Sequence, residues 1–153
     1  MRRLKKKYKN PKRPWDSARI EQESKILKEY GLRRKKEIWR AESIVRDFRR
    51  RARELIAVKN PDKMKILLEK LVGMGLIQEG QGLESVLELT SKDVLNRRLQ
   101  TIIFKKGHSS TIKNARQMIV HGHVYLGDRK ARVPSHVIPV EMEKTIKVKE
   151  IKK

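Results

Sequence analysis

The amino-acid sequence predicts an α+β fold: a helical N-terminal region, then a small C-terminal module of helices packed on a short antiparallel sheet. Two observations predict it. Apolar residues recur at three- and four-residue steps from about Ser17 to His121, and beyond Gly122 the period changes to two. Cap and turn residues divide these runs into short elements, and no internal repeat is evident. A chain of 153 residues fits one compact domain or two small ones. The composition shifts divide it into a basic extended arm (1–16), a helical region (17–93) and the module (94–150).

The arm holds many Lys and Arg and two prolines, with little that could form a core, so it is expected to be disordered unless an acidic partner orders it. Asp16 or Ser17 can cap a helix running to about Tyr30, with Ile20, Ser24 and Leu27 on its narrow apolar face and Gly31 as its stop. Ile38, Ala41, Val45, Phe48, Ala52 and Leu55 then form one stripe of a longer helix. On the same helix Arg46, Arg49, Arg50 and Arg53 form a guanidinium band on a face turned away from that stripe. Asn60-Pro61 reads as a cap with proline at the first helical position, followed by Met64, Leu67, Leu68 and Leu71 and a stop at Gly73 or Gly75. After the turn Glu79–Gly82, the residues Leu83, Val86, Leu87 and Leu89 predict a short apolar helix connecting the halves.

Thr90–Asp93 resembles a capping box and predicts one helix carrying Val94, Leu95, Leu99, Ile102 and Ile103 to Gly107. Ser109 or Ser110 is expected to cap the next, with Ile112, Ala115 and Ile119 inward and Lys113, Arg116 and Gln117 directed elsewhere. Val124 and Leu126 alternate before a Gly127-Asp128 turn and a second strand through Val133, and Ile146 and Val148 continue the alternation.

Composition bounds the function. The 40 Lys and Arg against 18 Asp and Glu give a formal net charge of +22, which repels itself unless a polyanion neutralises it. Absence of Cys removes disulfides, thiolate zinc sites and thiol nucleophiles. No apolar run of ~18 residues is present, and the charged start is not followed by an apolar leader segment, so a soluble, unsecreted protein is expected. No cofactor or metal is expected.

The runs Leu95-Asn96-Arg97-Arg98-Leu99-Gln100, Ser110-Thr111, Ala115 to Val124, Gly127-Asp128-Arg129 and Val133-Pro134-Ser135 resemble, in order, the RNA-binding module named after ribosomal protein S4. The module also occurs in pseudouridine synthases, a tyrosine-charging synthetase and heat-shock proteins. Upstream, Tyr8-Lys9-Asn10-Pro11, Pro14-Trp15-Asp16, Glu29-Tyr30-Gly31-Leu32, Trp39-Arg40-Ala41-Glu42 and Phe48-Arg49-Arg50 look like the archaeal and eukaryotic form of the ribosomal family itself. This resemblance implies a small-subunit protein that binds the 5′ domain of 16S ribosomal RNA early in assembly, near where messenger RNA enters. Neighbouring proteins such as ribosomal protein S5 are implied partners, and the location is cytoplasmic and ribosome-bound. The cysteine cluster that holds zinc in some bacterial relatives has no counterpart here.

The deep major groove of folded RNA is closed to side chains, so shape-reading by Arg and Lys is expected. The resemblance places Arg97, Arg98, Arg116, Gln117, His121 and His123 on the module's concave surface, bordered by Thr111, Lys113, Arg129, Lys130 and Ser135. Plainer readings stand beside these. The Arg46 band is equally a solvated helix face, and Arg97 and Arg98 have Asp93 and Glu88 as possible surface partners. Trp15 and Trp39 are candidates for stacking on bases, with docking between helices the commoner role. Glu21, Glu23, Asp47 and Glu54 read as surface ion pairs in the absence of a nucleophile. Competing functions are a free-standing RNA-binding factor, a subunit of an RNA-modifying enzyme and a DNA-compacting protein.

Overall fold

A computed structural model describes residues 6–149. Their elements are α1 (Ser17–Glu29), α2 (Lys36–Val58), α3 (Pro61–Gly73), α4 (Leu83–Glu88), α5 (Ser91–Asn96), α6 (Leu99–Lys105), α7 (Ile112–Val120), β1 (Val124–Leu126), β2 (Arg129–Lys130), α8 (Val140–Glu143) and β3 (Ile146–Val148). The three strands are antiparallel in the order β2-β1-β3, so the class is α+β as expected. Residues 1–5 of the expected arm and residue 150 of the expected module lie outside the described residues.

The stripe of α2 organises the first core. Ile38, Ala41, Val45, Phe48 and Ala52 are buried on it, and α1, α3, α4 and α5 pack around this helix. Leu67 and Leu71 come from α3, which begins where Asn60 Oδ1 accepts from the Lys63 N–H (3.3 Å). Val86 of α4 is fully buried in the same core, so that helix is a packing element and more than a connection. The narrow face of α1 differs from expectation: its buried member is Glu23, and Tyr30 just beyond the helix joins the core. Asp16 caps α1 as expected, accepting from the Arg19 N–H (3.3 Å).

The largest departure lies at Arg97-Arg98. The capping box at Thr90 and Asp93 forms, but the helix it starts ends at Asn96. Arg98 is extended (φ −72°, ψ 143°) and bridges Val137, and α6 begins at Leu99. Val94 and Leu95 belong to the first core, whereas Leu99, Ile102 and Ile103 belong to a second one with Ala115, Met118, Ile119, Val124 and Ile138. One apolar pattern thus serves two cores, and the extended pair redirects the chain between them. The segment 131–139 lies against this break, with Leu99 N–H bonded to His136 O (2.8 Å) and Ile138 N–H to Arg97 O (3.0 Å). That commitment is why β2 stops at Lys130 instead of reaching Val133, which is exposed. Thr111, rather than Ser109 or Ser110, caps α7 by accepting from the Asn114 N–H (3.1 Å). The four-residue α8 was too short to show a period.

Four polar side chains tie the two cores together. Glu37, in the first turn of α2, accepts from Arg98 Nη2 (2.8 Å) and from Arg116 Nη2 of α7 (3.2 Å). Its other neighbour is the Arg33 N–H (3.2 Å). Gln100, 2% exposed, directs Nε2 at the carbonyls of Tyr30 (3.3 Å), Gly31 (3.2 Å) and Ile112 (3.0 Å), sharing two hydrogens among three acceptors. Gly31 is in the left-handed region (φ +55°), and a Cβ there would sit 2.7 Å from Ile112 Cγ2 and 3.1 Å from Gln100 Nε2.

Burial alone would raise the Glu37 carboxyl, but the Arg116 hydrogen bond and the charges of Arg98 and Arg116 outweigh it and hold the group below the ordinary glutamate range. A depressed folded value means stability that is complete above the unfolded pKa and lost as pH falls through the folded one. Glu37→Gln should therefore cost about 3 kcal/mol at neutral pH, since it leaves one buried and one half-buried guanidinium group facing a neutral amide. In thermal melts at a series of pH values, the gap between wild type and variant should hold down to about pH 4.5 and close in stronger acid. Gly31→Ala should destabilise by more than about 1 kcal/mol through its backbone and its collision with Ile112, read by urea unfolding.

Candidate nucleic-acid interface

Two basic surfaces emerge. On the module, Lys113 and Gln117 project from one face of α7 and are exposed, with Thr111 at its cap. Arg129 and Lys130 are exposed on β2. Between helix and strand the chain turns at Gly122, which takes a left-handed φ of +77°. A Cβ on that glycine would lie 3.6 Å from Lys130 Cδ and 3.8 Å from Arg132 Nε, so both cations cross the turn. The rings of His121 and His123 flank it nearly parallel, with centroids 6.3 Å apart and planes 11° apart. Lys130 Nζ also sits 5.9 Å from the Tyr125 ring centroid. Ser135 is half-buried in the 131–139 loop.

The three module arginines behave differently from these. Arg98 is 6% exposed and is committed to Glu37. Arg97 bonds Glu143 Oε2 (3.0 Å) and the Ile138 carbonyl (3.0 Å), which ties α8 to the break between α5 and α6. Both carboxylates differ from the expected Asp93 and Glu88. Arg116 is half-buried, shared between Glu37 and Gln100 Oε1 (3.4 Å).

The second surface lies on α2. Residues 6–16 run beside this helix without helix or strand, held where Tyr8 meets Trp39 (centroids 6.0 Å) and Lys9 N–H reaches Ser43 Oγ (3.4 Å). A groove between arm and helix is lined by Lys6, Lys7 and Lys9 on one side and Arg40, Arg46 and Arg50 on the other. A continuation beside Asn10 and Pro11 brings Lys12 and Arg19 to Arg46. The expected four-arginine band is divided. Arg46 faces these grooves, Arg50 pairs at the surface with Glu54 (3.5 Å), Arg49 donates to the Leu89 carbonyl beyond α4, and Arg53 Nε donates to the Arg49 carbonyl (3.3 Å). Trp39 has the docking role, its Nε1 donating to buried Glu23 (2.9 Å), while Arg19 and Lys35 add charge to the same carboxylate. Trp15 instead stands 91% exposed.

Sequence reasoning overlooked Arg40, Arg132 and the grouping of Lys6, Lys7, Lys9 and Lys12 with α2. The positions three and four residues beyond Arg40 are Ser43 and Ile44, so no run of cations joined it to the band. Tyr8, the one aromatic among the arm's first cations, was the available sign that the arm lies on something apolar. Among the described residues no group of three or more His, Cys, Asp or Glu is placed to hold a metal, and no helix is long and apolar enough to cross a membrane.

Comparison with known proteins accounts for both parts. A family model described as the ribosomal protein S4/S9 N-terminal domain matches residues 2–96, and one described as the S4 domain matches residues 97–144. Similar proteins include three named small ribosomal subunit protein uS4. That of Methanothermobacter thermautotrophicus is 45% identical over 140 residues, covering 90% of this chain and 82% of the relative. That of Methanosphaera stadtmanae is 43% identical over 144 residues, covering 92% and 79%. That of Ignicoccus hospitalis is 40% identical over 148 residues, covering 95% and 89%. With its helical half and its helix-and-sheet module both matched in order, the chain belongs to the ribosomal protein S4 family, in its archaeal form.

Proposed function

We propose that this chain is a non-enzymatic structural constituent of the small ribosomal subunit, ribosome-bound in the cytoplasm, and a primary binder of its 16S RNA. The observation that carries the reading is the likeness to proteins named small ribosomal subunit protein uS4 over 90–95% of the chain. Its net charge of +22 supports it, since a folded RNA supplies the counter-charge such a surface needs. In the finer form of the proposal the protein nucleates assembly on the 5′ domain of that RNA. It sits near where messenger RNA enters, contributes to translational accuracy and neighbours ribosomal protein S5.

Under this reading residues 94–150 are the RNA-binding module, 17–93 the helical region and 1–16 the arm. Thr111, Lys113, Gln117, His121, His123, Arg129, Lys130 and Ser135 meet RNA on the module side, and Arg46 and Arg50 meet it from α2. Arg97, Arg98 and Arg116, together with Arg49, act chiefly by holding the contacting surfaces in place, because their guanidinium groups are engaged by protein oxygens. Arg53, exposed and bonded through Nε alone to its own helix, meets RNA beside Arg46. Phosphate neutralisation by exposed side chains gives affinity, and the fixed spacing between surfaces gives selectivity for one RNA shape.

In-cell cross-linking with sequencing of the captured RNA should give a sharp peak in small-subunit ribosomal RNA; a flat or messenger-dominated profile would overturn the proposal. With a 5′-domain transcript in vitro, replacing Lys113, Arg129 and Lys130 by Gln should flatten the log K against log salt slope by ~0.7–0.9 for each phosphate that is no longer neutralised. Melting of that triple variant should stay within about 0.5 kcal/mol of wild type. Arg98→Ala should behave in the opposite way, lowering thermal stability as well as affinity, because it leaves Glu37 with one guanidinium partner fewer.

A further inference from the structure

Trp15 is 91% exposed, the most exposed of the large hydrophobic side chains among the described residues. An indole is an expensive apolar surface to leave in water. Its backbone, by contrast, is held on both sides. Pro14 fixes its own φ, and its carbonyl accepts from Arg19 Nη2 (3.1 Å). Asp16 is the cap of α1, accepting from the Arg19 N–H (3.3 Å) through its carboxylate and from the Ile20 N–H (3.0 Å) through its carbonyl. One arginine therefore braces the residues before and after the tryptophan. The indole is left with only its own side-chain torsions to lose on binding.

The surroundings decide what covers it. Residues 12, 13, 16 and 17 are all exposed and polar or charged: Lys12, Arg13, Asp16 and Ser17. Lys12 and Arg13 outnumber the single carboxylate of Asp16, so the local field is positive. The groove lined by Arg19, whose guanidinium holds the Pro14 carbonyl, sets the cations Lys9, Lys12, Arg19 and Arg46 against the carboxylates of Glu23 and Glu42, a net excess of positive charge. A protein-binding tryptophan normally sits at the centre of a desolvated patch, and no such patch surrounds this one. An isolated aromatic face beside a cationic groove is instead the arrangement that holds a nucleic-acid strand, with phosphates along the groove and a base on the ring.

We propose that Trp15 is a base-stacking site: an unpaired nucleotide of the bound RNA stacks on its indole while the flanking phosphates lie along the arm groove. This rests on the RNA-binding reading above and adds to it a contact that requires an unstacked base. Paired nucleotides, whose faces are already covered, do not offer one.

The test uses the full chain, with two probes at one salt concentration: a 5′-domain transcript of small-subunit ribosomal RNA and a fully paired RNA duplex. Trp15→Ala should weaken binding to the transcript roughly 5- to 150-fold, the loss that follows removal of one base–aromatic stack. Trp15→Phe should retain most of the affinity, and the duplex should not distinguish the variants. Transcript binding should quench the wild-type indole emission, and the quench should be absent in Trp15→Phe, where Trp39 is the remaining tryptophan. If wild type binds the transcript tightly while Trp15→Ala matches it and the quench persists in Trp15→Phe, the stacking proposal falls and the RNA reading stands. If Trp15 becomes shielded only when another ribosomal protein is added, stacking is likewise refuted in favour of a protein contact. If wild type fails to bind the transcript at all, the RNA reading falls and the stacking site goes with it.

Discussion

A single carboxylate shared by two arginines governs the architecture. Glu37 stands at the start of the long helix α2, and Arg98 and Arg116 come to it from the opposite half of the chain. Without that charge, two guanidinium groups from separate elements would oppose each other at the junction of two small cores. The buried amide of Gln100 reinforces the junction, satisfying carbonyls from both halves. Because the basic surfaces lie on α2 and on α7 with β2, the junction also sets their spacing. A rigid separation between two cationic surfaces is what lets a protein discriminate one folded RNA from the general run of phosphate.

The local pattern of the sequence showed most of the scaffold. The stripe Ile38-Ala41-Val45-Phe48-Ala52, the caps at Asp16 and Asn60, the capping box at Thr90 and the change of period after Gly122 each reflect a constraint acting within a few residues, and each is present. The break at Arg97-Arg98 was hidden because the same apolar spacing continues across it while its residues enter different cores. Nothing nearby in the chain announced that Arg98 would turn extended to pair with Val137.

Charge was legible as a total and illegible as a map. The pairs that remove Arg98 and Arg116 from the outer surface reach 61 and 79 residues along the chain, beyond any helical or strand period. A residue type that defines the family pattern can thus be spent on internal structure, as Arg98 and Arg116 are. The exposed cations Lys9, Arg40 and Arg132 gain their setting from chain folding: Lys9 and Arg40 stand within family motifs, yet no spacing of cations marked any of the three.

The sharing of residues between cores bears on how the chain folds as it is made. Ile112 and Val137 pack against the first core, although that core is otherwise drawn from residues 26–95. Synthesis delivers the N-terminal helices first. They leave the ribosome with part of their apolar surface uncovered and with Glu37 lacking both cationic partners, and they wait for some forty residues beyond Val94 to arrive. The first half is thus born incomplete and is closed by the second, so its core is completed only after Val137 has been added.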